Sequence, residues 1–264
     1  MRLRIWTGSA LIILLAGIFC STRAQGAAWR NKPLQQWSSG DAEEVLNNSA
    51  WVAKQEVRIK QSPKIGVAGG APTPGAAEGG YLPNVSNTVD VGSARPPVDF
   101  VFRLRLRSGL PIRAAVLREK QLEAKYDQMS AGERAAFDTK WNGILQCPAC
   151  AENYVLTLSS SSKQEPGADA VYTVFKGGRL ADLQRYVYIA DERGERRPLV
   201  HFVPPQAPGE EAVFYFARYD EKRVPLFNAK SKEMLFNLTD NEISLAANFR
   251  IDVSRLLIDG ELSF

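Results

Sequence analysis

Val98-Asp99-Phe100-Val101-Phe102-Arg103-Leu104-Arg105-Leu106-Arg107 is the stretch on which the reading of the fold turns. Phe102, Leu104 and Leu106 alternate with Arg103, Arg105 and Arg107, and a period of two marks a strand with one buried face. Strands of this kind belong to antiparallel sheets that show their charged face to water. The three arginines then form a ridge on the outer face. Two readings stay open for it: a site for an anionic ligand or partner, or a solvated face whose arginine stems cover neighbouring apolar surface.

Downstream, Pro111 suits the first position of a helix, and Ile112, Val116, Leu122, Tyr126 and Met129 fall near one stripe. Ser130-Ala131-Gly132-Glu133 has the form of a capping box opening a second helix, with Phe137, Trp141, Ile144 and Leu145 at helical spacing. That aromatic stripe reads as core, with a ligand groove as the alternative. Strands follow at 154–158, ended by the run Ser159 to Ser162, and at 186–189 and 199–203 around a hairpin turn at Asp191-Glu192-Arg193-Gly194. The apolar run 212–217 suits a central strand. Segments 234–238, 243–251 and 261–264 complete the sheet, while Lys176-Gly177-Gly178 leaves 174–184 ambiguous. The class is α+β: a largely antiparallel β-sheet or sandwich with a two-helix excursion.

Upstream, residues 62–97 are rich in Gly, Pro and Ala and poor in large apolar side chains, which reads as a flexible linker. Before it, residues 27–61 form a helix-strand module. Ser38 or Ser39 caps a helix carrying Asp41, Glu43 and Glu44 in its first turns. Trp51, Ala53, Val57 and Ile59 then share one strand face, with Lys54, Glu56, Arg58 and Lys60 on the other. Residues 98–264 form the main domain.

Residues 1–26 have the anatomy of a secretory signal peptide: Arg2 and Arg4, an apolar stretch to Cys20, then small residues at Ala24, Gly26, Ala27 and Ala28. Cleavage falls before Ala27 or before Trp29. A lipidated Cys20 is the alternative, but Phe19 stands where lipoprotein processing takes Gly or Ala. The formal charge is +4, and removing Arg2, Arg4 and Arg23 brings it to +1. A near-neutral mature chain gives no ground for a nucleic-acid partner, which usually demands a clustered basic footprint, and none is expected. Nothing after Cys20 is apolar for long enough to span a membrane. The expected location is periplasmic or secreted, with another envelope protein as a conceivable partner.

Cys147-Pro148-Ala149-Cys150 is the sharpest local motif, open to a disulfide, thiol exchange or half a zinc site. Zinc needs four ligands, and the mature chain adds only His201 to this pair. The pair follows a helix and precedes a strand, so a structural disulfide between Cys147 and Cys150, pinning the turn, is the expectation in an oxidising compartment. His201 lies in a strand without a Gly-x-Ser-x-Gly elbow, which argues against a triad. Glu210 with Glu211, or Asp240 with Glu242, supply paired carboxylates of the kind a hydrolase uses. No phosphate-binding loop and no cofactor motif is present, so no catalytic, cofactor or metal residue is assigned.

Several segments are similar together to one family. Lys32-Pro33 through Trp37, Asp41 to Leu46, Ser49-Ala50-Trp51, Leu110-Pro111-Ile112-Arg113-Ala114 and the closing stretch from Phe249 to Phe264 resemble a family of uncharacterised exported proteins found mainly in acidobacteria. Ala50 stands where that family carries Pro. The resemblance implies an envelope or secreted location and brings no activity or catalytic residue. The functional expectation is a non-enzymatic binding or structural module. The alternatives are a thiol-disulfide oxidoreductase using Cys147 and Cys150, or a carboxylate-dependent hydrolase.

Overall fold

The computed structural model describes residues 28–59, 98–240 and 245–264. The expected signal peptide with Cys20, the expected linker, Glu242 and the Asp240 side chain lie outside them.

The alternation at Phe102, Leu104 and Leu106 becomes β2 (Val98–Leu106), whose residues are buried and half-buried in strict turn. Its partners are β1 (Val52–Ile59) and β3 (Asn153–Ser162), both antiparallel. Five further strands follow: β4 (Val187–Asp191), β5 (Arg196–Val203), β6 (Ala212–Ala217), β7 (Glu233–Asp240) and β8 (Leu245–Asp252). They form one eight-stranded sheet in the order β1-β2-β3-β6-β5-β4-β7-β8, antiparallel at each pairing. The sheet is α+β with helices, as expected, but it is not a sandwich. It curls on itself until β1 and β8 meet, where the Asn248 N–H donates to Oε1 of Gln55 at 2.9 Å.

The concave side is filled with aromatic side chains. Phe214, Phe216, Phe236 and Phe249 are fully or almost fully buried, with Phe236 at 5.5, 6.0 and 6.1 Å from the other three rings. Each buried Phe contributes roughly 1.5–3 kcal/mol over an exposed one. β6 is central, as the apolar run implied.

The N-terminal module shares this core, because β1 pairs with β2 along its whole length. Its helix α1 (Ser39–Asn48) opens with a capping box, Ser38 and Asp41 each accepting a backbone N–H from the other's residue. Trp29 packs edge-on against Trp37 and Trp51 at 5.4 and 6.2 Å and closes one end. The two-helix excursion is α2 (Leu110–Glu123) and α3 (Ala131–Gln146). Short helices α4 (Pro148–Glu152), α5 (Ala170–Phe175) and α6 (Leu180–Leu183) complete the set, the last two resolving the ambiguous 174–184 region in favour of helix.

Two boundaries differ from expectation. Ser159 to Ser162 continue β3 rather than end it, pairing with Arg103 to Phe100. The ladder supplies partners that the local serine run does not reveal. The segment 261–264 does not join the main sheet: β10 (Glu261–Leu262) pairs only with β9 (Leu257–Ile258).

Candidate binding groove

Helix α2 turns two polar residues inward. Ile112, Ala115, Arg118 and Gln121, three apart, are all buried, and residues at that spacing are neighbours on a helix surface. The stripe expected from the sequence meets this face only at Ile112. Val116 and Leu122 are half-buried, and Tyr126 lies beyond the helix end. The difference arises because Arg118 finds partners inside. Its Nε donates to the Trp37 carbonyl at 2.8 Å, its Nη2 to Asp127 at 2.9 Å and its Nη1 to Oε1 of Gln121 at 3.2 Å. A planar guanidinium satisfied on all sides can be buried where a lone charge cannot.

Gln121 is one wall of a groove of about 220 Å³. Its oxygen is held by Arg118, while its amide nitrogen donates to none of the described residues and is open to the solvent in the groove. Gln121 is only 5% exposed, so these donors are positioned rather than free to swing. Leu34 and Gln35 also line it, from the short turn before α1. Helix α3 adds Asp138, Trp141, Asn142 and Leu145. The Tyr126 hydroxyl, also in the lining, donates to Asp138 at 2.9 Å. Burial, and then that carboxylate, hold the Tyr126 phenol above its ordinary pKa, so it stays a donor.

Of the α3 stripe expected as core, only Phe137 is buried, edge-on to Tyr126 at 5.1 Å. Trp141, Ile144 and Leu145 are half-buried. Lys140 lies 5.0 Å from the Trp141 ring centroid and Arg134 lies 5.9 Å from that of Tyr126. The aromatic stripe was legible in the sequence. Gln121 was not, since a polar residue gives no periodic signal.

The disulfide between Cys147 and Cys150 is present, with Cα atoms 5.3 Å apart. The pair does not lie directly between helix and strand, however. Cys147, with φ of 38°, is the N-cap of α4, and Pro148 opens that helix. Proline is tolerated at a helix start and disrupts a helix interior, which separates α4 from α3. Cys150 is buried.

The arginine ridge lies on the outer face, as expected, and two of its members are engaged. Arg105 donates to the Leu46 carbonyl at the end of α1 at 2.7 Å and pairs with Glu211; Arg107 lies 3.8 Å from the same carboxylate. Arg103, facing Lys54 across the ladder, has no ion pair among the described residues. Burial, and then Arg105, lower its pKa. His201 is exposed beside Tyr215, ring centroids 5.0 Å apart. Glu210 instead accepts the Gln206 N–H at 2.8 Å, so Glu210 and Glu211 serve different contacts.

Among the described residues, no helix is long and apolar enough to cross a membrane, and no cluster of three His, Cys, Asp or Glu is placed to hold a metal. Compared with known proteins, the chain matches no family model, no curated sequence and no solved structure.

Proposed function

We propose that this chain is an exported envelope or secreted binding module, and that the groove between residues 34–36, α2 and α3 is where it binds. The reading takes residues 1–26 as its signal and follows the resemblance to exported acidobacterial proteins. One observation carries the binding site: Gln121, held by Arg118 and almost wholly buried, turns unpartnered amide donors toward a cavity. Water reaches those donors in the free protein, and a ligand acceptor in the groove would take its place with a hydrogen bond worth roughly 0.5–1.5 kcal/mol.

The test is made on natively exported protein. Mass spectrometry checks for a mature start at Ala27 or Trp29. A photo-crosslinker at Gln146, exposed on α3 beside the lining residue Leu145, then captures the ligand in intact envelopes. The expected result is a defined adduct that Gln121→Leu and Trp141→Ala abolish. A chain retained whole in the cytoplasm, or adducts indifferent to both substitutions, would overturn the reading.

A further inference from the structure

We propose that the groove seats one neutral sugar ring; this rests on the binding reading above and names its ligand class. Charge narrows the choice first. Asp138 is the only ionisable carboxylate or cation among the lining residues, so an anionic guest meets repulsion with no compensating cation in the wall. A cationic guest would be attracted by Asp138 but is opposed by the cations already beside the groove. The rings it would seek, Trp141 and Tyr126, already have Lys140 and Arg134 over them, and like charges at such range repel. The guest is neutral.

The polar groups then specify hydroxyls. Three carboxamides, Gln35, Gln121 and Asn142, stand with one carboxylate around a cavity whose remaining walls are leucine and aromatic. A carboxamide offers a donor pair and an acceptor in one plane, which matches adjacent hydroxyls, each both donor and acceptor. The apolar walls suit the C–H surface of a pyranose. Polar and apolar groups share the lining about evenly, as the alternating hydroxyls and C–H faces of a sugar require. At about 220 Å³ the recess is sized for one ring and not for an extended chain.

The experiment titrates the mature protein with glucose, galactose, mannose and N-acetylglucosamine, one at a time, observing the Trp141 indole N–H and the Gln121 side-chain amide by NMR. At least one sugar is expected to shift both signals saturably. Gln121→Leu should weaken binding roughly tenfold, the loss of about one hydrogen bond. Because Gln121 also supports Arg118, Asn142→Ala on the exposed rim serves as a second variant and should weaken binding too with the fold intact.

Shifts absent for all four sugars up to their solubility, or unchanged in both variants, would overturn the proposal. So would binding of N-acetyl-Ala-Ala-amide in place of any sugar. If the sugars fail while the Gln146 adduct in envelopes still depends on Gln121 and Trp141, the ligand class is wrong and the binding module stands. If both fail, the groove is not the site.

Discussion

Gln55 and Asn248 join the two ends of the sheet: the amide oxygen of one accepts the backbone N–H of the other at 2.9 Å, across 193 residues of sequence. In β1, Gln55 faces Phe102 of β2 and so occupies an inward position that alternation reserves for apolar side chains. It is there because the curled sheet leaves an edge N–H to satisfy, and an unpaired edge is otherwise a template for aggregation. Gln55→Leu should cost about 1 kcal/mol in urea unfolding. The sharper readout is hydrogen exchange, where the Asn248 amide should lose protection while the Phe249 region keeps it.

Arg118 ties the Trp37 carbonyl, Gln121 and Asp127 together from a site that is 4% exposed. Arg118→Met keeps the stem and orphans those partners, so chemical denaturation should show a loss of about 2–3 kcal/mol. Arg118→Lys should recover little of it, because an ammonium cannot reproduce the planar fork. Full rescue by lysine would mean the fork is unimportant.

At Gly109 a Cβ would stand 2.3 Å from Cδ1 and 2.8 Å from Nε1 of the fully buried Trp51. The glycine is needed for space, since its φ of −64° is open to any residue. Gly109→Ala should destabilise by roughly 1–3 kcal/mol through overpacking, with a changed environment for Trp51 in near-ultraviolet circular dichroism. Wild-type stability in this variant would contradict the packing described.

Asp41 sits at the start of α1, where the Ser38 backbone N–H, then Lys32 and the Ser38 hydroxyl, lower its pKa from 3.8 to about 2. A carboxyl depressed on folding contributes stability that is complete above its unfolded pKa and is lost as pH falls through the folded value. Its contribution should therefore decline between about pH 4 and pH 2. A carboxyl-carbon NMR titration should place the Asp41 midpoint near 2, and Asp41→Asn should remove this part of the acid dependence.

Cys147→Ser with Cys150→Ser opens a loop of sequence separation three. So short a loop restricts the unfolded chain little, and the loss should be about 2 kcal/mol. The double variant should stay folded with β3 intact. Global unfolding would assign the disulfide a larger part than loop entropy gives it.

The local elements were open to reading from the chain alone. Alternation in β2, the capping boxes at Ser38 and Ser130, the hairpin at Asp191 to Gly194 and the Cys147–Cys150 pair depend on residues a few positions apart. Their physics is local, so their signals are too. Tertiary structure alone decided that the sheet curls into one nearly closed layer rather than two. It also decided that Ser159 to Ser162 extend β3, and that Arg118 and Gln121 are buried while Val116 and Leu122 are only half-buried. Each outcome turns on a partner remote in sequence: Asn248 for Gln55, Arg103 for Ser159, Trp37 for Arg118. A polar side chain is buried when another group satisfies it, and hydrophobic periodicity carries no record of where that group lies.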